Sequence, residues 1–144
     1  MSDTLSIIAI VISVITLLFE FYRDVKLNKT NLKSEYFKEL YFKLLLEEIP
    51  QERNNLFFNP QGYLIHYRNF VELFNLILEK SMYYKYTDSK YYTELKNSVQ
   101  ELEDYVLETA NKSFNKKLHS GILDDIDEKV ENIFSILTNK YEKG

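Results

Sequence analysis

Residues 5–22 read LSIIAIVISVITLLFEFY, and no other stretch constrains the chain as strongly. Eighteen residues wound as a helix rise roughly 27 Å, close to the ~30 Å hydrocarbon core of a bilayer. Glu20 is the one charge in the run. The stretch therefore predicts a single membrane-spanning helix. Within it Ser6, Ala9, Ser13, Thr16 and Glu20 succeed one another at spacings of three and four. That spacing puts the small and polar residues on one helical face and leaves Ile, Val, Leu and Phe on the others. One side suits lipid, and the other suits a neighbouring helix or water.

Working outward, the charge changes sign. Residues 23–33 carry Arg23, Lys26, Lys29 and Lys33 against Asp24, whereas residues 34–144 carry 14 basic and 19 acidic side chains. A basic cluster just after an apolar span orients it with that end inside the cell. The expected layout is an N-terminus outside a bacterial inner membrane, an anchor over 1–22, a juxtamembrane helix over 23–48 and a cytoplasmic domain over 49–144. The four basic residues also meet anionic headgroups, at about 1 kcal/mol each. A cleaved signal peptide is not expected: no basic residue precedes the run and no A-x-A-like site follows it. Abundant Asn, Lys, Ile, Tyr and Phe suggest an AT-rich bacterial genome.

Composition narrows the chemistry. No Cys occurs among 144 residues, which excludes disulfides, thiolate metal sites and a Cys nucleophile. Two His leave little for a histidine metal centre. The acidic body argues against broad nucleic-acid affinity. Three Gly and two Pro favour long helices, and 12 Tyr with 10 Phe supply a core.

Helical periodicity runs through the rest. Tyr36, Phe37, Leu40, Tyr41, Leu44 and Leu45 form one stripe, which Pro50 is expected to end. The segment 51–62 reads as a loop, with Asn59-Pro60-Gln61-Gly62 as its turn. A second helix is expected over about 63–86, with Tyr63, Tyr67, Phe70, Val71, Phe74, Ile77 and Leu78 among its apolar positions, and Thr87-Asp88-Ser89 breaks it. A third carries Tyr92, Leu95, Val99, Leu102, Val106, Ala110, Phe114 and Leu118, with Gly121 as its stop. A fourth starts near Asp124 or Asp125 and reaches Tyr141, with Ile126, Val130, Ile133, Leu137 and Tyr141 on one face. The expected fold is all-α, a single N-terminal transmembrane helix followed by a cytoplasmic bundle of about four helices.

Small residues at three-and-four spacing let membrane helices approach closely, so the Ser6–Glu20 face predicts a homo-oligomer. Around a symmetry axis the Glu20 carboxylates would form a hydrated, cation-preferring mouth. The tyrosines Tyr83, Tyr84, Tyr86, Tyr91 and Tyr92 suit either base stacking or packing of the bundle's end. A basic segment with Lys112, Asn115, Lys116 and His119 offers a nucleic-acid contact, or complements a helix C-terminus. No Gly-rich phosphate loop, Ser–His–Asp set or metal-ligand spacing appears, so no cofactor, metal or small-molecule substrate is expected.

The Lys112–His119 segment resembles the basic residue, Asn and His of HEPN ribonucleases, although Lys stands where that family has Arg, which weakens two-point phosphate recognition. The overall plan is similar to that of small membrane-anchored effectors of bacterial phage defence, including the membrane accessory proteins of type VI-B CRISPR systems with their degenerate HEPN-like domain. That resemblance implies oligomerisation, perturbation or permeabilisation of the inner membrane, and no catalysis. A membrane-tethered scaffold or sensor that binds a cytoplasmic protein or RNA is the alternative, with a HEPN-like ribonuclease behind it.

Overall fold

A computed structural model describes residues 2–143, with the side chains of 12–27, 35–38, 40 and 43–143. Helix α1 runs Ser2–Lys38 and continues into a π-helical stretch, Glu39–Glu48, and then α2, Ile49–Asn54. Two short strands follow, β1 Phe57–Phe58 and β2 Leu64–Ile65, antiparallel with Phe57 opposite Ile65. Helices α3 Tyr67–Lys80, α4 Met82–Thr87, α5 Ser89–Ala110 and α6 Lys116–Lys143 complete the chain. It divides into two compact units, 1–36 and 37–144.

The expectation of a membrane-spanning helix is corrected here. Among the described residues no helix is long and apolar enough to cross a membrane. Along the described side chains of α1, 12–27, the charges Glu20, Arg23, Asp24 and Lys26 interrupt the apolar sequence, and charged groups at membrane depth are costly.

In the second unit, Phe70, Phe74 and Ile77 of α3 and Leu95, Val99, Leu102 and Val106 of α5 are buried, as are Ile126, Ile133 and Leu137 of α6. These recur every three or four residues, so each helix presents one apolar stripe to the others. Leu40, Leu44 and Ile49 join the same interior. The Phe37 ring meets Tyr141 of α6 edge-on, with centroids 5.0 Å apart.

Several expected boundaries move: the stretch 51–62 holds the end of α2 and all of β1, the second helix starts at Tyr67 after β2, and the fourth starts at Lys116 rather than near Asp124. Pro50 does not stop the first helix, because the wide winding before it bonds N–H groups to carbonyls five residues back, Ile49 to Leu44. Pro50 then falls in the first turn of α2, where its missing N–H costs least. The second helix is divided at Ser81, whose buried hydroxyl donates to Ile77 O at 2.6 Å and competes with the backbone ladder. The third ends at Ala110 rather than near Gly121. Asn115 caps α6 instead, its Oδ1 accepting the Lys117 N–H at 3.2 Å. Gly121 lies inside α6 with open space where a side chain would be.

Candidate functional site

The apolar run of α1 is the most unusual surface of the molecule. Eight of the eleven residues from Ile12 to Tyr22 are apolar or aromatic. All eight are between 49% and 70% exposed. A helix that is apolar around most of its circumference is normally buried. Of the residues expected on an oligomer or pore face, Ser13, Thr16 and Glu20 are exposed. Thr16 donates its hydroxyl to Ile12 O at 2.9 Å, satisfying itself within its own helix. The side chains of Ser6 and Ala9 lie outside the described residues. Among the expected headgroup contacts, Arg23 and Lys26 are exposed, with Arg23 3.9 Å from Asp24, and the side chains of Lys29 and Lys33 also lie outside the described residues.

Lys112, Asn115, Lys116 and His119 come together in the turn between α5 and α6 and the first turn of α6. Lys112 reaches back one helical turn to Glu108 at 2.5 Å, which holds that carboxyl below the usual range. Lys116 is exposed. His119 is half-buried and donates Nε2–H to Phe114 O at 2.9 Å. Its ring stacks on Phe58 of β1, with centroids 4.0 Å apart and planes at 7°.

The β1–β2 turn fixes this region from the other side. Ser113 donates its hydroxyl to Gln61 O at 2.6 Å, and Phe114 N–H donates to Gly62 O at 2.9 Å. Gly62 has φ +86, and a Cβ there would collide with Phe114 O. The histidine and its neighbours thus bind the hairpin to the α5–α6 turn.

Of the tyrosine cluster, Tyr84 and Tyr91 are buried and meet edge-on at 5.1 Å. Lys140 lies 5.0 and 5.3 Å from their centroids and donates to Asp88 at 2.6 Å. Tyr83 and Tyr86 are exposed. Two long-range pairs have no signal in the sequence: Asp88 with Lys140, and Arg53 with Asp127. The latter is bidentate, Nε to Oδ1 at 2.5 Å and a terminal nitrogen to Oδ2 at 2.8 Å, and ties α2 to α6. Each joins residues more than fifty positions apart, beyond the reach of any local pattern.

Two grooves flank α3. One, of about 720 Å³, is lined by His66, Tyr67, Arg68 and three asparagines. His66 sits at φ 60, a left-handed conformation uncommon for a residue other than Gly, just before α3. The second, of about 620 Å³, lies between the Glu48–Glu52 segment and α3, with Glu72 and Glu79 on the α3 side and Leu73 and Leu76 between them. Among the described residues no cluster of three or more His, Asp or Glu could hold a metal ion. Comparison with protein-family models, curated proteins and solved structures gave no match.

Proposed function

We propose that this protein is a non-catalytic assembly protein: the apolar part of α1 joins several copies, and each copy contributes one helical body to the resulting scaffold. The observation that carries this reading is the exposure of Ile12, Val14, Ile15, Leu17, Leu18, Phe19, Phe21 and Tyr22 in a single copy. An apolar surface of that extent in a lone chain points to an association surface.

Burying each of these large apolar side chains is worth about 1.5–3 kcal/mol, which is the term that offsets the lost freedom of association, roughly 4–15 kcal/mol.

Sedimentation of the full-length chain tests this. Wild type is expected to sediment as a concentration-dependent oligomer, and the exposed double substitution Leu17→Glu with Leu18→Glu as a monomer with unchanged helix content. An oligomer that survives those substitutions would refute the reading. So would a monomeric wild type that binds lipid vesicles, since the apolar surface would then be a lipid contact.

A further inference from the structure

The groove between the Glu48–Glu52 segment and α3 has acidic walls and an apolar floor. Glu72 and Glu79 are seven residues apart on α3, two turns or roughly 10.5 Å along one face. Glu48 and Glu52 stand on the opposite wall. Leu73 and Leu76 between them are only half-buried. Lys43 approaches Glu48 at 3.9 Å, a long pair, and its own side chain is largely exposed. A ligand for such a groove is a helix with a row of cations two turns long beside an apolar edge.

The chain itself contains that helix. Lys26, Lys29 and Lys33 are spaced by three and four within α1, with Val25 and Leu32 among them. On a helical wheel these five positions fall within roughly 120°, the three lysines on one side of the arc and the two aliphatic residues on the other. Lys26 and Lys33 are seven apart, as are Glu72 and Glu79. Both charge rows therefore repeat over two helical turns. Lys26 is exposed, and Val25 is 39% exposed.

We propose that the segment 25–33 of one copy docks in the acidic groove of a second copy, its basic row toward the glutamates and Val25 toward Leu73 and Leu76. The contact is heterologous, one patch of the molecule against a different patch. Repeated around an axis it closes a ring, and without closure it builds a filament. It deepens the assembly reading above and rests on it: the apolar part of α1 gathers the copies, and the groove sets which copy each basic segment meets. Charge complementarity of this kind chiefly fixes register and partner, and it weakens as salt rises.

The test is charge reversal in full-length chains, followed by sedimentation. Glu72→Lys with Glu79→Lys is expected to weaken association about tenfold or more at low salt. Lys26→Glu with Lys29→Glu is expected to do the same. An equimolar mixture of the two variants is expected to recover association, because each then offers the other a matched surface. Wild-type behaviour of both reversed chains, or failure of the mixture to recover, overturns the groove contact. The two readings fail separately. If Leu17→Glu with Leu18→Glu dissociates the oligomer while charge reversal changes nothing, the apolar contact stands alone. If charge reversal dissociates it and the leucine substitutions do not, the groove stands alone. A monomeric wild type removes both. Because the chain has no native Cys, Lys26→Cys molecules mixed with Glu72→Cys molecules give a second readout. A disulfide between the two species is expected within minutes of oxidation, and its absence counts against the docking.

Discussion

At the scale of single residues, the hairpin turn and the α5–α6 turn hold each other through a few atoms. Gly62 combines a positive φ with a backbone contact that leaves no room for a methyl group. Gly62→Ala should therefore strain the turn and also break the bond between Phe114 N–H and Gly62 O. A loss of about 2–4 kcal/mol is expected, read as a lowered urea midpoint. His119 works from the opposite side, through one hydrogen bond and one stacked ring. His119→Ala is expected to cost about 1–3 kcal/mol, from an aromatic contact of about 0.5–1.5 and a hydrogen bond of similar size. His119→Gln, which keeps a donor but not the ring, should fall between. A variant as stable as wild type would deny the imidazole this structural role and reopen the question of why it is there.

At the scale of elements, α4, α5 and α6 meet at Asp88. Its carboxylate accepts the Tyr91 N–H at 3.2 Å, capping α5, and accepts from Lys140 of α6 at 2.6 Å. The Lys140 hydrogen bond is the larger influence, and with the Tyr91 N–H it holds the Asp88 carboxyl below its usual value. A depressed carboxyl contributes stability above the unfolded value, about 3.9, and loses it as pH falls through the folded one. The two roles separate by substitution. Asp88→Asn keeps a capping oxygen and loses the ion pair, an expected cost of a few tenths to about 1 kcal/mol given the partial exposure of both groups. Asp88→Ala loses the cap as well, about 1 kcal/mol more. Thermal melts at neutral pH should rank wild type above Asn above Ala. Near pH 3 the gap between wild type and Asn should shrink.

The same elements show what periodicity reveals and where it stops. The stripes through Phe70, Phe74 and Ile77, through Leu95, Val99 and Leu102, and through Ile126, Ile133 and Leu137 were legible because a helix buries every third or fourth residue whatever it packs against. Element ends were not, because three-and-four spacing carried straight across Asn111-Lys112-Ser113-Phe114-Asn115 to Leu118, which is exposed. The two asparagines and the serine there are the signal that was outweighed. Asn111 ends α5 and Asn115 starts α6. Pro50 misled in the opposite direction, since a proline in a first turn begins a helix as readily as it ends one. Of the candidate site, the apolar run of α1 was plain in the sequence, whereas the groove was not. Its walls come from separate elements, and only folding sets Glu48 and Glu52 across from Glu72 and Glu79.

At the scale of the whole molecule, the division at residue 36 turns assembly into a measurable coupling. The apolar residues 12–22 belong to the first unit, and the acidic groove to the second. Association through the apolar run alone does not require the second unit to be folded. Its oligomers should persist when that unit melts, and the melting temperature should not depend on protein concentration. Docking in the groove requires the folded second unit, so it stabilises that unit by mass action. At a concentration about 100 times the dissociation constant the gain is about 2.7 kcal/mol. For a unit of this size each kcal/mol moves Tm by about 4–8 °C. Melts followed by circular dichroism over a hundredfold range of concentration should therefore show Tm climbing by several degrees in wild type. The climb should vanish in Glu72→Lys with Glu79→Lys. It should return when that chain is mixed with Lys26→Glu, Lys29→Glu. A concentration-independent Tm in a chain that still sediments as an oligomer would assign the whole assembly to the apolar run and leave the groove unoccupied.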